Sequence, residues 1–222
     1  MRLLWTYAPI TITTLFYGCS QSIGNRAWYY AYLNHAEEYN MVTHSVMSEL
    51  ERMQANGDSI DFGCASLIDQ IESIEQELLR RAGQVDVRLD RTDDPPAMNM
   101  LMDYEISTAM LIGEEPAKPD TGQYTAYNLK MRMMDAVHSL SACCNGNPDL
   151  FQAILNTEDV RQGQYGIMTS WEAANFYHLP LVSVLDKLND IKMKVRYAEL
   201  QALACRSAKQ VSDSMSATHL ER

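Results

Sequence analysis

From Pro180 onward the apolar residues Leu181, Val184, Leu188, Ile191, Val195, Ala198, Ala202 and Cys205 fall alternately three and four apart. That is the period of a helix that buries one seam against neighbouring helices. A helix from Leu181 to Cys205 is about 37 Å long on the helical rise, so the elements covering its seam must be long too. Just upstream, Thr169 and Glu172 have capping-box spacing, and Pro180 lacks a backbone donor. Together they predict a short leading helix, a kink and then a long rod.

The same period recurs earlier in the chain. Tyr29, Leu33, Ala36, Val46 or Met47, Leu50 and Met53 keep helical spacing until Asn56-Gly57, a helix-stopping pair. Ile60, Cys64, Leu67, Ile71, Ile74 and Leu78 form a second stripe. Asp69, Glu72, Glu75 and Glu77 between them read as a solvated acidic face, and Gly83 after Arg80-Arg81 reads as a C-cap. Residues 84–101 break the pattern at the linker Asp93-Asp94-Pro95-Pro96. Ile106, Met110 and Ile112 suit a short strand or an irregular segment. Tyr124, Tyr127, Met131, Met134, Val137 and Ser141 mark a third helix, ending near Asn145-Gly146-Asn147-Pro148. A short helix over Asp149 to Asn156 and a turn at Gly163-Gln164-Tyr165-Gly166 follow. The expected fold is all-α: a bundle of about four long helices with a short irregular or β insertion, preceded by an apolar N-terminal segment.

That segment, MRLLWTYAPITITTLFYGC, has a positive start and an apolar run. Leu3 to Ile23 has the length of a spanning helix, weakened by Pro9, the threonines and Gln21. Alternatively Arg2 begins a signal peptide, and Gly18-Cys19-Ser20 resembles a lipobox with Cys19 as the acylated residue. A buried helix is the third reading. The first two both place later residues outside the cytoplasm, in the periplasm, held at the bacterial inner membrane by a single N-terminal anchor or by a lipid. The expected organisation is residues 1–23 as anchor or lipoprotein signal, 24–210 as a periplasmic helical domain and 211–222 as a polar tail. An aromatic cluster, Trp28-Tyr29-Tyr30 with Tyr32, follows the apolar run and suits either a membrane interface or bundle packing.

A net charge of −11 without clustered Lys and Arg excludes binding to a nucleic-acid backbone. His35, His44, His138, His178 and His219 are far apart and never at zinc-ligand spacing, and no phosphate loop or dinucleotide fingerprint occurs. No catalytic residue, cofactor or metal site is expected, so the chain reads as a structural protein and not an enzyme. Cys143-Cys144 leaves three choices: burial, pairing with Cys64 or Cys205 outside the cytoplasm, or redox chemistry. The seam positions of Cys64 and Cys205 favour burial.

Two separated stretches resemble the GldM/PorM family, in its first periplasmic domain. One is Asp103-Tyr104-Glu105-Ile106-Ser107-Thr108 with Met110-Leu111-Ile112-Gly113-Glu114, followed by Tyr127-Asn128-Leu129-Lys130. The other is Trp171-Glu172, Asn175-Phe176-Tyr177, Leu179-Pro180-Leu181, Leu185-Asp186-Lys187-Leu188 and Val195-Arg196-Tyr197-Ala198-Glu199. The resemblance implies an architectural role for these residues. It also implies a homodimer, a GldL/PorL-type inner-membrane partner that uses proton flow, and transmission of motion to gliding and type IX secretion components in the periplasm. Two features depart from the family. Only Arg2 precedes the apolar run, and the β-rich domains that follow in the family are absent before Arg222, as in a piece of a longer protein or a stand-alone homologue. The competing expectation is a lipid-anchored helical binding module with no link to a motor.

Overall fold

The computed structural model of the chain describes residues 8–55, 62–82, 103–115, 118, 120–144, 146–162 and 167–220. In chain order these form α1 (Ala8–Ala55), α2 (Cys64–Arg81), α3 (Glu105–Leu111), α4 (Ala126–Cys143), α5 (Asp149–Ile154), β1 (Val160–Gln162), β2 (Ile167–Thr169), α6 (Trp171–Phe176) and α7 (Leu181–Leu220). Four of them, α1, α2, α4 and α7, make the bundle. The two strands form a small antiparallel hairpin in which Arg161 faces Met168.

The seam on α7 is buried as its spacing requires, from Leu181 through Val184, Leu188, Ile191, Val195 and Ala198 to Ala202. In the same core cluster lie Val46 and Met53 of α1 and Leu67, Ile71, Ile74 and Leu78 of α2. Each such side chain stabilises the fold by about 1.5–3 kcal/mol on leaving water.

Side-chain pairs fix the helix directions. His35 meets Asp186 at 2.7 Å, and Lys192 lies 4.9 Å over the Tyr39 ring. Rising numbers on α1 therefore match rising numbers on α7, and these two run parallel. Gln70 bonds Asn128 and Arg132 bonds Ser66, so α2 runs opposite to α4. Because α1 and α7 share a direction and His35 is level with Asp186, α1 begins well before the level at which α7 starts, and α7 runs on past the level at which α1 stops. Among the described residues no helix is long and apolar enough to cross a membrane. The spanning and lipoprotein readings both begin in residues 1–7, outside the described residues; from Ala8 the backbone is continuous helix.

Several expectations are corrected. Ile106, Met110 and Ile112 belong to a helical turn, α3, and not to a strand: Asp103 caps it by accepting from the backbone N–H of Glu105 at 2.8 Å and of Ile106 at 2.9 Å. The β insertion sits instead at residues 160–169, around the expected turn, whose residues 163–166 lie outside the described ones. On α4 the buried face is Ala126, Leu129, Met133, Ala136, Val137, Leu140 and Ser141. Tyr127, Met131 and Met134, expected inside, are 38 %, 41 % and 47 % exposed. Both stripes have helical spacing, and the elements that pack on α4 select the one holding Leu129 and Leu140. On α2 the helix begins at Cys64, after Gly63 at φ 72°, so Ile60 falls before it and, like Gly83, lies outside the described residues.

Candidate functional site

The kink at Pro180 is an elbow between α6 and α7, and α3 holds it. The carbonyl of Asp103 accepts from the N–H of Leu181 at 2.7 Å, satisfying one of the donors that a helix start leaves unpaired. Buried Ser107 donates its hydroxyl to the Leu179 carbonyl at 2.8 Å, and the Thr108 hydroxyl accepts from the His178 N–H at 3.0 Å. His178 occupies the left-handed region at φ 53°, a conformation that side chains adopt only when their surroundings impose it. Its ring lies between Tyr104 at 5.5 Å and Tyr177 at 4.3 Å. Below, Ile112 accepts from the Asp120 N–H, and Gly113 turns the chain at φ 87°. A Cβ on Gly113 would lie 2.6 Å from the Asp120 carboxylate, so glycine is required there on two counts.

Ser170, and not Thr169, caps α6 by accepting from the Ala173 N–H at 3.2 Å, which corrects the capping-box expectation. Glu172 is buried and its carboxylate lies 3.7 Å from the Lys130 ammonium. Lys130 also donates to Asp159 at 3.0 Å, and the same Asp159 oxygen accepts from the Trp171 N–H at 3.0 Å. The Trp171 N–H and then Lys130 hold the Asp159 carboxyl below its ordinary value. Asn175 donates back to the Trp171 carbonyl, and Trp171 meets Phe176 edge-on at 5.6 Å. A depressed carboxyl pKa contributes stability that is full above the unfolded value and is lost as pH falls through the folded one. Acidification below the ordinary carboxylate range is therefore expected to lower the protection factor of the Trp171 amide, relative to its intrinsic rate at the same pH, before those in the core of α7 fall. In Asp159→Ala that amide should have low protection at every pH, with no pH-dependent step.

A second cluster lies inside the bundle. Lys192 donates to Glu75 of α2 at 2.8 Å, with side-chain exposures of 7 % and 14 %. Burial raises the Glu75 carboxyl, Lys192 offsets part of that, and Glu72 adds to it. Further along α7, Arg196 donates to Glu199 at 2.7 Å in a buried pair. Burial opposes the Arg196 charge, but Glu199 and the Tyr39 hydroxyl outweigh it and raise the guanidinium above its ordinary value. Among the described residues Glu75 Oε1, Asn189 Nδ2 and Arg196 Nε have no hydrogen-bond partner. The acidic row on α2 is thus not wholly solvated as expected. Glu75 turns inward to meet Lys192, while Glu77 stays at the surface with Arg80 and Arg81, which hold its carboxyl at about 2. Such a layer adds little net stability but penalises any slip of one helix past another.

The cysteines are also corrected. Cys144 and Cys205 form a disulfide with Cα atoms 5.4 Å apart, whereas Cys64 is buried and Cys143 half-buried outside any disulfide. Burial holds for Cys64 alone. A groove of about 820 Å³ opens between α4, α5 and the hairpin, with His138 on its wall and Met134 and Met168 at its rim.

The structure thus brings together the two stretches that carried the resemblance. Asp103, Tyr104, Ile106, Ile112 and Gly113 form or flank α3, while Trp171, Glu172, Asn175, Phe176 and Tyr177 form α6 and its end. They meet at Pro180 and Leu181. Val195, Arg196, Ala198 and Glu199 stand apart from that elbow, along α7 in the charged seam. Sequence reasoning missed Asp159, Tyr39 and Lys192, read Glu75 as solvated, and named Lys130 only within a resembling stretch. One signal was available: Lys192, Arg196 and Glu199 each directly follow a seam residue, a second stripe that flanks the first. A family model, GldM N-terminal domain, matches residues 36–207, and no curated protein matches the chain. The match contains the elbow, the charged seam and both half-cystines, and it covers more than half of the sequence. This chain belongs to the GldM N-terminal domain family.

Proposed function

We propose that the chain is a non-enzymatic, force-transmitting component of a proton-driven inner-membrane motor in the gliding-motility and type IX secretion machinery. It acts as a homodimer beside a GldL/PorL-type inner-membrane protein, with residues 24–210 as its periplasmic domain. The observation that carries this reading is the family match over residues 36–207. Membership in that family implies a component of this machinery in the cell envelope; the motor role is the further step. The fold supports it mechanically. Parallel α1 and α7 overhang one another at opposite ends, so a pull between those ends loads their packed seam in shear, where all contacts resist together. A buried charged layer with a fixed register suits the same task. The residues of the elbow and the seam are then architecture: they set the angle and register of α7.

Gly18-Cys19-Ser20 favours a second reading, a lipid-anchored helical binding module without a motor. Intact mass and N-terminal analysis of protein purified from native membranes separates the two. Retention of Met1 and co-purification of a small two-helix membrane protein are the expected results. Cleavage before Cys19 with added lipid mass would overturn the motor reading and leave the binding module.

A further inference from the structure

We propose that the Cys144–Cys205 bond is a tension clamp that takes the elbow and the hairpin out of the line of pull. Its use in the cell rests on the force-transmitting reading above; its mechanics do not.

Cys144 caps the C-terminus of α4, and Cys205 stands where the buried face of α7 ends. Ala202 and Leu203 are buried, Arg206 and Ser207 are half-buried, Ala208 and Lys209 are exposed, and the helix runs on to Leu220. Tension applied between the start of α1 and the end of α7 is carried first by the α1–α7 seam in shear, and once that seam yields it follows covalent bonds. It passes through α1, α2, α3 and α4 to Cys144, crosses the sulfurs to Cys205 and leaves along the last turns of α7. The chain between the two cysteines, a sequence separation of 61 residues, carries none of it.

Ahead of the packed seam of α7, which it also includes, that bypassed stretch holds the segments least able to resist. It contains α5, the three-residue strands of the hairpin, α6 and the Pro180 break. The break is held to α3 by the bonds Leu181–Asp103, Ser107–Leu179 and His178–Thr108, each worth about 1 kcal/mol net. Without the disulfide, a pull on the end of α7 would slide the packed part of that helix along α1 and then straighten the elbow. With it, α4 and α7 are drawn as one body, and the elbow keeps its angle under load. Cys143, the adjacent residue, is outside the bond and serves as the internal control.

The test is single-molecule pulling of the full chain through tags at its two termini, without and with a phosphine reductant. Reduction is expected to lengthen the fully unfolded chain by roughly 200 Å, the extension of the released loop. It should also lower the force at which the bundle first gives way. Cys205→Ser should reproduce the reduced behaviour without reductant, and Cys143→Ser should behave as the wild type. Should Cys205→Ser misfold, reduction of the wild type alone gives the same comparison. Three outcomes would overturn the proposal: added length with an unchanged first-unfolding force, no added length on reduction, or a Cys143→Ser protein that behaves as reduced. None of these bears on whether the cell couples the chain to a motor.

Discussion

Glu75→Ala is expected to destabilise the full chain by about 3–5 kcal/mol in chemical denaturation, because it leaves a buried ammonium without its counter-charge. Lys192 sits against α1 and α2 with its ammonium 2.8 Å from the Glu75 carboxylate and 4.9 Å over the Tyr39 ring. The ring offers part of the compensation, about 0.5–2 kcal/mol, which does not replace the carboxylate. Exchanging both partners is a different matter. In Glu75→Leu with Lys192→Met both charges go, together with the desolvation they incurred, and stability should lie within about 1 kcal/mol of wild type or above it. The contrast between single and double replacement is the readout. A single variant that lost less than about 1 kcal/mol would mean that Lys192 reaches water or another acid, and the seam would not be closed as described.

If the pair adds little net stability, its value lies in register. A slip of α7 by one turn, about 5.4 Å, would still set apolar residues against apolar ones along the seam, at a packing cost where Ala198 and Ala202 met larger neighbours. The same slip would separate Lys192 from Glu75 and the Arg196–Glu199 pair from Tyr39. The charged layer therefore makes one alignment of α1, α2 and α7 much better than its neighbours. A body that passes displacement from one end to the other needs this property.

How much of this was legible depended on whether the governing interaction was local. The α7 seam, the Pro180 break and the short helix over Asp149–Ile154 follow from period, proline and capping chemistry, all of which act within a few residues. α3 was misread because its helical state depends on the Asp103 cap and on contacts with Leu179 and His178, far along the chain. The α4 face was misread because two stripes of equal period compete on it, and only the neighbours decide between them. The inward turn of Glu75 required Lys192, and the bond of Cys144 required Cys205; both partners lie on α7. The elbow was legible as two motifs but not as one joint, since nothing in the sequence states that residues 103–113 and 171–181 touch.

Phe176→Ala is expected to cost about 3–5 kcal/mol, and the loss should fall first on the elbow. Phe176 is fully buried at the end of α6 and receives the edge of Trp171. Truncating it opens a cavity directly under the segment that turns into α7. The surroundings can collapse only partly, because Tyr177 and His178 are already fixed by the Thr108 hydroxyl and by ring contacts. In hydrogen exchange the amides of His178 and Leu181 should lose protection before those of Ile191 or Val195, since the bonds to Thr108 and Asp103 depend on the angle that Phe176 supports. Two comparisons separate this from general loss of core. Phe176→Leu keeps most of the volume and should cost less than about 1.5 kcal/mol. Tyr177→Ala, one residue on and exposed, should cost about 0.5 kcal/mol or less. Equal loss of protection along all of α7 in Phe176→Ala would show that the elbow and the rod open as one unit, and that the joint has no mechanical identity of its own.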